Sequence, residues 1–163
     1  MKIGLISDTH GFIDEKIIAF LSECKEIWHA GDIGNLTVIE QLERIATVRA
    51  VFGNIDGTEI RQKFKEKECF NVEDVNVLMM HIGGYPGNYS KEAYHEIRSV
   101  SPKLFISGHS HILKVIFDKR NHLLHINPGA AGKNGFHMVR TAIRFKIESS
   151  EIKDLEVLEL PRR

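Results

Sequence analysis

Three times before residue 60 an apolar run gives way to a polar loop containing glycine, and the first two loops are followed by apolar residues at helical spacing. Lys2 to Ser7 leads into Asp8-Thr9-His10-Gly11, after which Asp14 stands as an N-cap before Ile17, Ile18, Phe20 and Leu21. A run from about Glu26 to Ala30 ends in Gly31-Asp32, and Leu36 to Arg44 follows with Val38, Ile39 and Leu42 on one helical face. Ala46 to Phe52 ends in Gly53-Asn54-Ile55-Asp56-Gly57. Strand–loop–helix alternation of this kind demands a parallel or mixed sheet with helices outside it, so the fold class is α/β. In such sheets ligands collect beyond the carboxyl ends of the strands. Each of these loops puts Asp, His or Asn there, next to glycine.

The second half is richer in strands. Phe64 to Val72 and Val75 to Met80 read as two strands joined by a tight turn at Glu73-Asp74, the second ending in His81. A Gly/Pro-rich loop, Ile82 to Tyr89, precedes a helix capped by Ser90 and running to about Val100. Lys103 to Ser107 is a strand leading into Gly108-His109-Ser110-His111. Strands at 112–118 and 121–126 turn at Lys119-Arg120-Asn121, and Asn127-Pro128-Gly129 closes that stretch. Met138 to Ile147 and Glu151 to Leu160 form a final antiparallel pair. With no repeat, linker or low-complexity segment, residues 1–163 are expected to form a single domain.

Composition narrows the function classes. An apolar fraction of 42% and a charged fraction of 27% fit a globular chain rather than a disordered or membrane-spanning one. Lys plus Arg and Asp plus Glu both total 22, whereas a nucleic-acid binder would be expected to carry a basic surplus or stripe; no nucleic-acid partner is expected. No apolar stretch is long enough to cross a bilayer and the N-terminus is too short an apolar run for a signal peptide, so cytoplasm is the expected location and no membrane partner is expected. Cys24 and Cys69 form no CxxC pair and read as a small buried hydrophobe and a strand residue.

The loops that follow strands supply Asp8 and His10, Asp32, Asn54, His81, and His109 with His111. Carboxylate, carboxamide and imidazole together suit borderline divalent ions (Mn, Zn, Fe, Ni or Co), and the absence of cysteine from the set argues against a thiolate-rich structural zinc site. A carboxylate such as Asp32 can bridge two cations, and paired cations orient a phosphoryl group and lower the pKa of water.

The ordered series Asp8-Thr9-His10, Gly31-Asp32, Gly53-Asn54, His81 and Gly108-His109-Ser110-His111 resembles the calcineurin-like metallophosphoesterase superfamily. The short chain and the Asn127-Pro128-Gly129 turn are most similar to its YfcE-like short phosphodiesterase branch. The resemblance covers about residues 1–130 and implies a four-layer αββα sandwich of two mixed sheets with a dinuclear site across its top. It further implies that Asp8, His10 and His111 hold one ion, that Asn54, His81 and His109 hold the other, and that Asp32 bridges them. Asp32, Asn54 and His81 are then the catalytic set. In this scheme a bridging hydroxide attacks the phosphorus of a small phosphate ester in line with the leaving group. The same fold also serves as a non-catalytic, Vps29-like interaction scaffold, and the intact ligand set favours chemistry over that alternative. A homo-oligomer is left open.

Two departures from the family pattern matter. Ile55 stands where many members place a histidine general acid, and His81-Ile82-Gly83 replaces a His-Gly-His sequence. Around the set, Tyr85 and Tyr89 either stack on a substrate or pack their own loop. Asp56 is expected to cap the following helix rather than support a ligand. His29, His95, His122 and His125 are read as structural, and Arg61, Lys91, Lys114, Lys133 and Arg140 as solvated surface, with one or two open to a phosphate. The glycine-rich segment 129–137 is expected to be a mobile loop beside the site, bearing His137 near the substrate.

Overall fold

A computed structural model describes residues 1–163. The first half runs β1 (Lys2–Ile6), α1 (Glu15–Leu21), β2 (Glu26–His29), α2 (Leu36–Glu43), β3 (Thr47–Ala50) and α3 (Thr58–Lys63). It continues with β4 (Lys67–Val72), β5 (Val75–Met80), the short β6 (Gly84–Tyr85) and β7 (Asn88–Tyr89), α4 (Lys91–Val100) and β8 (Leu104–Ile106). The last strands are β9 (Leu113–Asp118), β10 (Leu123–Pro128), β11 (Val139–Glu148) and β12 (Glu151–Pro161). No helix is long and apolar enough to cross a membrane.

The strands form two five-stranded mixed sheets, ordered β12-β11-β1-β2-β3 and β4-β5-β8-β10-β9. β1, β2 and β3 are parallel, as are β5, β8 and β10. The final pair is antiparallel as expected, and β11 continues the first sheet by pairing antiparallel to β1. The loop between β5 and α4 contains the β6–β7 hairpin, a pairing that two-residue strands give too little periodicity to reveal.

Between the sheets, Ile3, Leu5 and Trp28 of the first meet Val77, Met79 and Ile106 of the second. Trp28 is fully buried and meets Phe70 and Phe145 edge-on at 5.0 and 5.9 Å. The outer face of the first sheet is covered by the apolar stripes of α1 (Ile17, Leu21) and α2 (Val38, Ile39, Leu42). α4 covers the outer face of the second sheet with Ala93 and Ile97 against Leu78 and Phe105. The layers are therefore αββα.

Local chemistry sets the helix starts. Asp14, Asn35 and Ser90 accept from the backbone N–H of Lys16, Thr37 and Ala93, capping α1, α2 and α4. Asp56 does not cap α3, whose N-cap is Gly57 with no side-chain bond. Its buried carboxylate instead accepts from the N–H groups of Gly53, Ile33 and Gly34 at 2.8, 3.1 and 2.8 Å. Three amide donors outbid one helix start, and the result ties the loop after β3 to the loop after β2. Cys24 is buried, Cys69 lies on β4, and both are free thiols.

Candidate metal centre

Because β1, β2, β5 and β8 end at one edge of the sandwich, their loops run side by side. Asp8 and His10 donate their N–H groups to the carbonyls of Gly31 and Asp32 at 2.9 and 3.0 Å, and Gly108 donates to that of His81 at 2.9 Å. The two sheets meet where the His109 N–H reaches Asp8 Oδ2 at 3.1 Å. The backbone is strained where the ligand candidates sit. Asp8, His10, Asp32, His109 and His111 all have positive φ, between 48° and 70°, a region that non-glycine residues seldom occupy.

These loops bring together two clusters, Asp8–His10–His111 and Asp32–His81–His109, the ligand atoms of each lying within 4.8 Å of one another. Asp8 turns Oδ2 to Ser7 Oγ (2.7 Å) and the His109 N–H, leaving Oδ1 facing Nε2 of His111, His81 and His10 at 3.2, 3.8 and 3.9 Å. Asp32 lies between the clusters, with Oδ1 3.2 Å from His81 Nε2 and Oδ2 3.6 Å from His10 Nε2. Asn54 is exposed and shares a cleft of about 270 Å³ with His81, Arg61 and Ile82. Arg61 holds that loop by donating to the Asp56 carbonyl at 2.6 Å, its guanidinium stacked 4.4 Å from the Phe52 ring.

The donor set fits divalent cations. Asp8 Oδ1, His10 Nε2 and His81 Nε2 are buried without a hydrogen-bond partner, the two nitrogens lying 3.9 and 3.8 Å from the oxygen. Buried polar atoms ordinarily find partners, so three orphans drawn from the two clusters mark a place for cations. No Lys or Arg forms an ion pair with either carboxylate. Burial would raise the Asp8 carboxyl, but the His111 ring, the His81 charge and the Ser7 hydroxyl outweigh it and hold it below the usual range. Burial likewise opposes ionisation of Asp32, yet His81 and the Ile55 N–H bring it below its ordinary value. His81 is disfavoured as a cation by burial and favoured by Asp32 and Asp8, with a net upward shift. Its Nδ1–H donates to the Ala30 carbonyl at 2.8 Å, which leaves the Nε2 lone pair for a metal.

Glycine makes the packing around the centre feasible. A Cβ on Gly53 would lie 2.1 Å from Asp32 Oδ1, and one on Gly31 would lie 2.6 Å from His81 Nδ1. A wider cleft, about 580 Å³ and bordered by Phe12, Ile18 and Gln41, lies beside α1 and α2 and contains none of these ligands. Chemistry therefore favours the smaller cleft at Asn54 and His81.

The other singled-out residues separate clearly. His29 is fully buried. Its Nδ1 accepts from the Gly31 N–H, and its Nε2–H meets Thr9 Oγ1, whose hydroxyl donates to the Ile33 carbonyl. It buttresses the loops and bears no free lone pair. His125 is buried against Phe105, His122 lies in the β9–β10 turn, and His95 lies in α4. Tyr89 packs edge-on to Phe105 and donates to Asp118 at 2.7 Å, so it serves its own loop. Tyr85 is exposed beside His109 and Ser110, with the Lys114 ammonium 4.2 Å from its ring centroid. Ile55 and Ile82 are exposed hydrocarbons that offer no proton. The segment expected to be a mobile loop is docked through its first part: Ala130 and Ala131 are fully buried, and the Ala131 and Gly132 N–H groups donate to the carbonyls of Ser7 and Asp8. His137 faces His111 rather than open solvent above the clusters, an arrangement that glycine-rich sequence without periodicity could not indicate.

The sequence profile of the calcineurin-like phosphoesterase superfamily domain matches residues 1–150. A phosphodiesterase of Methanocaldococcus jannaschii is 30% identical over 145 residues, covering 79% of this chain and 83% of its own. A probable metallophosphoesterase of Methanothermobacter thermautotrophicus is 28% identical over 138 residues, covering 80% and 77%. Among solved structures, an archaeal phosphodiesterase superposes with a TM-score of 0.75 at 25% identity, over 97% of this chain and all of that one. Vps29 of Entamoeba histolytica, solved with zinc, shares the fold at a TM-score of 0.77 and 19% identity over the full length of both chains. With 150 of its residues matched by that profile, the chain belongs to the calcineurin-like phosphoesterase superfamily and is a metal-dependent phosphoesterase.

Proposed function

We propose that the protein is a single-domain, dinuclear phosphodiesterase of the cytoplasm that hydrolyses a small phosphate ester. Asp8, His10 and His111 hold one ion, Asn54, His81 and His109 hold the other, and Asp32 is shared. The observation that carries this reading is Asp32, which turns one oxygen towards each cluster. The phosphodiesterases among the relatives support the substrate class.

When bound, paired cations of the Mn, Zn, Fe, Ni or Co type supply charge neutralisation and acidify water. The chain's own part is positional. Ser7 and the His109 N–H fix the Asp8 carboxylate, the Ile55 N–H fixes Asp32, and the Ala30 carbonyl fixes the His81 ring. Asn54 lines the cleft through which an ester enters, in reach of a phosphoryl oxygen. Ile55 and Ile82 put exposed hydrocarbon, which has no proton to give, where a general-acid histidine would stand, so esters of good leaving groups are expected to react fastest. The intact donor set weighs against a purely scaffolding role.

Hydrolysis of bis-p-nitrophenyl phosphate with Mn, Ni, Co or Zn supplied tests the proposal. Metal-stimulated turnover, lost in Asn54→Ala and His81→Ala, is the expected result. Absence of hydrolysis of this and several other phosphoesters with every metal would refute it.

A further inference from the structure

In the assignment above His111 would hold its ion through Nε2, and its other ring nitrogen faces a second histidine. His111 Nδ1 lies 3.1 Å from His137 Nδ1, the rings packed edge-to-face with centroids 5.0 Å apart. The far nitrogen of His137, Nε2, lies 2.7 Å from the Gly132 carbonyl. A carbonyl only accepts, so His137 must carry its proton on Nε2. With that proton on Nε2, the Nδ1 lone pair of His137 faces His111 Nδ1. One proton is needed between the two facing nitrogens, and it belongs to His111 Nδ1–H. The Nε2 lone pair of His111 is then free, aimed at the space it shares with Asp8 Oδ1, 3.2 Å away.

We propose that His137 is the positioning residue for His111, fixing both its tautomer and its ring orientation for the ion held with Asp8 and His10. The inference rests on the metal-site assignment above and extends it to a residue that contributes no ligand atom.

The surroundings are built for this contact. The Gly132 N–H donates to the Asp8 carbonyl at 3.1 Å, so the carbonyl that orients His137 belongs to a residue anchored on the Asp8 loop. Gly135, at φ +130°, lets the loop fold over the ring pair; a Cβ there would lie 2.3 Å from His111 Nδ1 and 3.0 Å from His137 Nδ1. Arg162 closes the loop from outside by donating to the Gly135 carbonyl at 2.6 Å. His81 solves the same problem by donating its Nδ1–H to the Ala30 carbonyl. At His111 an imidazole does what a main-chain carbonyl does at His81. Metal-bound histidines commonly need such a partner, and its loss typically costs about 10–100-fold in metal affinity.

The test compares Mn binding by titration calorimetry in the wild type, Asp8→Asn, His137→Leu and His137→Asn, with ¹⁵N NMR of the Zn-loaded wild type. His137→Leu is expected to weaken the Asp8-side ion by about 10–100-fold while the other ion stays in place. His137→Asn, whose amide oxygen occupies the place of Nδ1, is expected to restore most of the loss. The wild-type spectrum is expected to show His111 protonated on Nδ1 and coordinated through Nε2. Unchanged Mn affinity in His137→Leu, equal loss in the Leu and Asn variants, or His111 coordinated through Nδ1 would each overturn the positioning role. A wild type that binds no Mn, or whose binding is unaltered by Asp8→Asn, would instead overturn the metal-site assignment itself.

Discussion

Asp32 and His81 face each other at 3.2 Å through Oδ1 and Nε2, while the second oxygen of the same carboxylate is 3.6 Å from His10 Nε2. One side chain thus faces a histidine of each cluster, and its neutralisation should be felt at both. Asp32→Asn is expected to weaken both ions and lower activity at least about 100-fold, beyond what loss of an outer-shell contact produces. His10→Ala should weaken mainly the Asp8-side ion. Metal titrations of the two variants, followed by kcat and KM, separate these patterns.

Asp56 bonds three backbone N–H groups from two loops, and none of its work is at the helix start next to it. Asp56→Asn replaces one accepting oxygen by a donor that opposes an amide. A stability loss of roughly 1–3 kcal/mol is expected from urea unfolding of the metal-free protein. Metal affinity should fall as well, because the loops bearing Asp32 and Asn54 lose their tie.

Gly53 and Gly57 flank the same turn but differ in surroundings. A Cβ at Gly53 would meet both Asp32 Oδ1 (2.1 Å) and the Asp32 backbone nitrogen (2.4 Å), whereas one at Gly57 would meet nothing within 4 Å. Gly53→Ala is expected to cost about tenfold or more in metal affinity. Gly57→Ala should leave activity unchanged, with a stability cost below about 1 kcal/mol from the helix start. Paired metal titration and urea unfolding check both halves.

Acid should destabilise the metal-free fold through two buried rings. Burial lowers His29 and His125 from the ordinary value of 6.5 to about 4. Between those values the unfolded chain binds protons that the native rings refuse, so stability is full above about pH 6.5 and falls as pH drops towards 4. Each ring steepens the fall by up to about 1.4 kcal/mol per pH unit. His125→Phe, which keeps the packing on Phe105, is expected to flatten the profile measured by urea midpoints between pH 7 and pH 4.5, while an unchanged slope would remove His125 from the account.

Metal uptake should release protons at neutral pH. Asp32 and Asp8 hold the His81 imidazole above its usual range despite burial, and a ligating ring must be neutral. Mn affinity is therefore expected to fall as pH is lowered from 8 to 6, with heats that vary with the ionisation enthalpy of the buffer.

The parts legible in sequence were those encoded locally. Apolar runs ending in Asp8, Asp32, His81 and His109 marked the strand ends, and Asp14 and Ser90 announced their helices through short-range caps. Parallel pairing then carried the ligand-bearing loops to one edge. What sequence left obscure depends on distant partners. Asp56 looked like a cap because two of its three donors, Ile33 and Gly34, lie 23 and 22 residues away. Tyr89 gave no sign of Asp118, and His137 reaches His111 only because β11 returns beside β1 and draws its preceding loop over the Asp8 loop.

Two cations are proposed to share Asp32, and anomalous scattering from crystals soaked in Mn would locate them. Two peaks about 3.5–4 Å apart on either side of the Asp32 carboxylate are the predicted result. A single peak, or peaks held by residues other than Asp8, His10, Asn54, His81, His109 and His111, would contradict it.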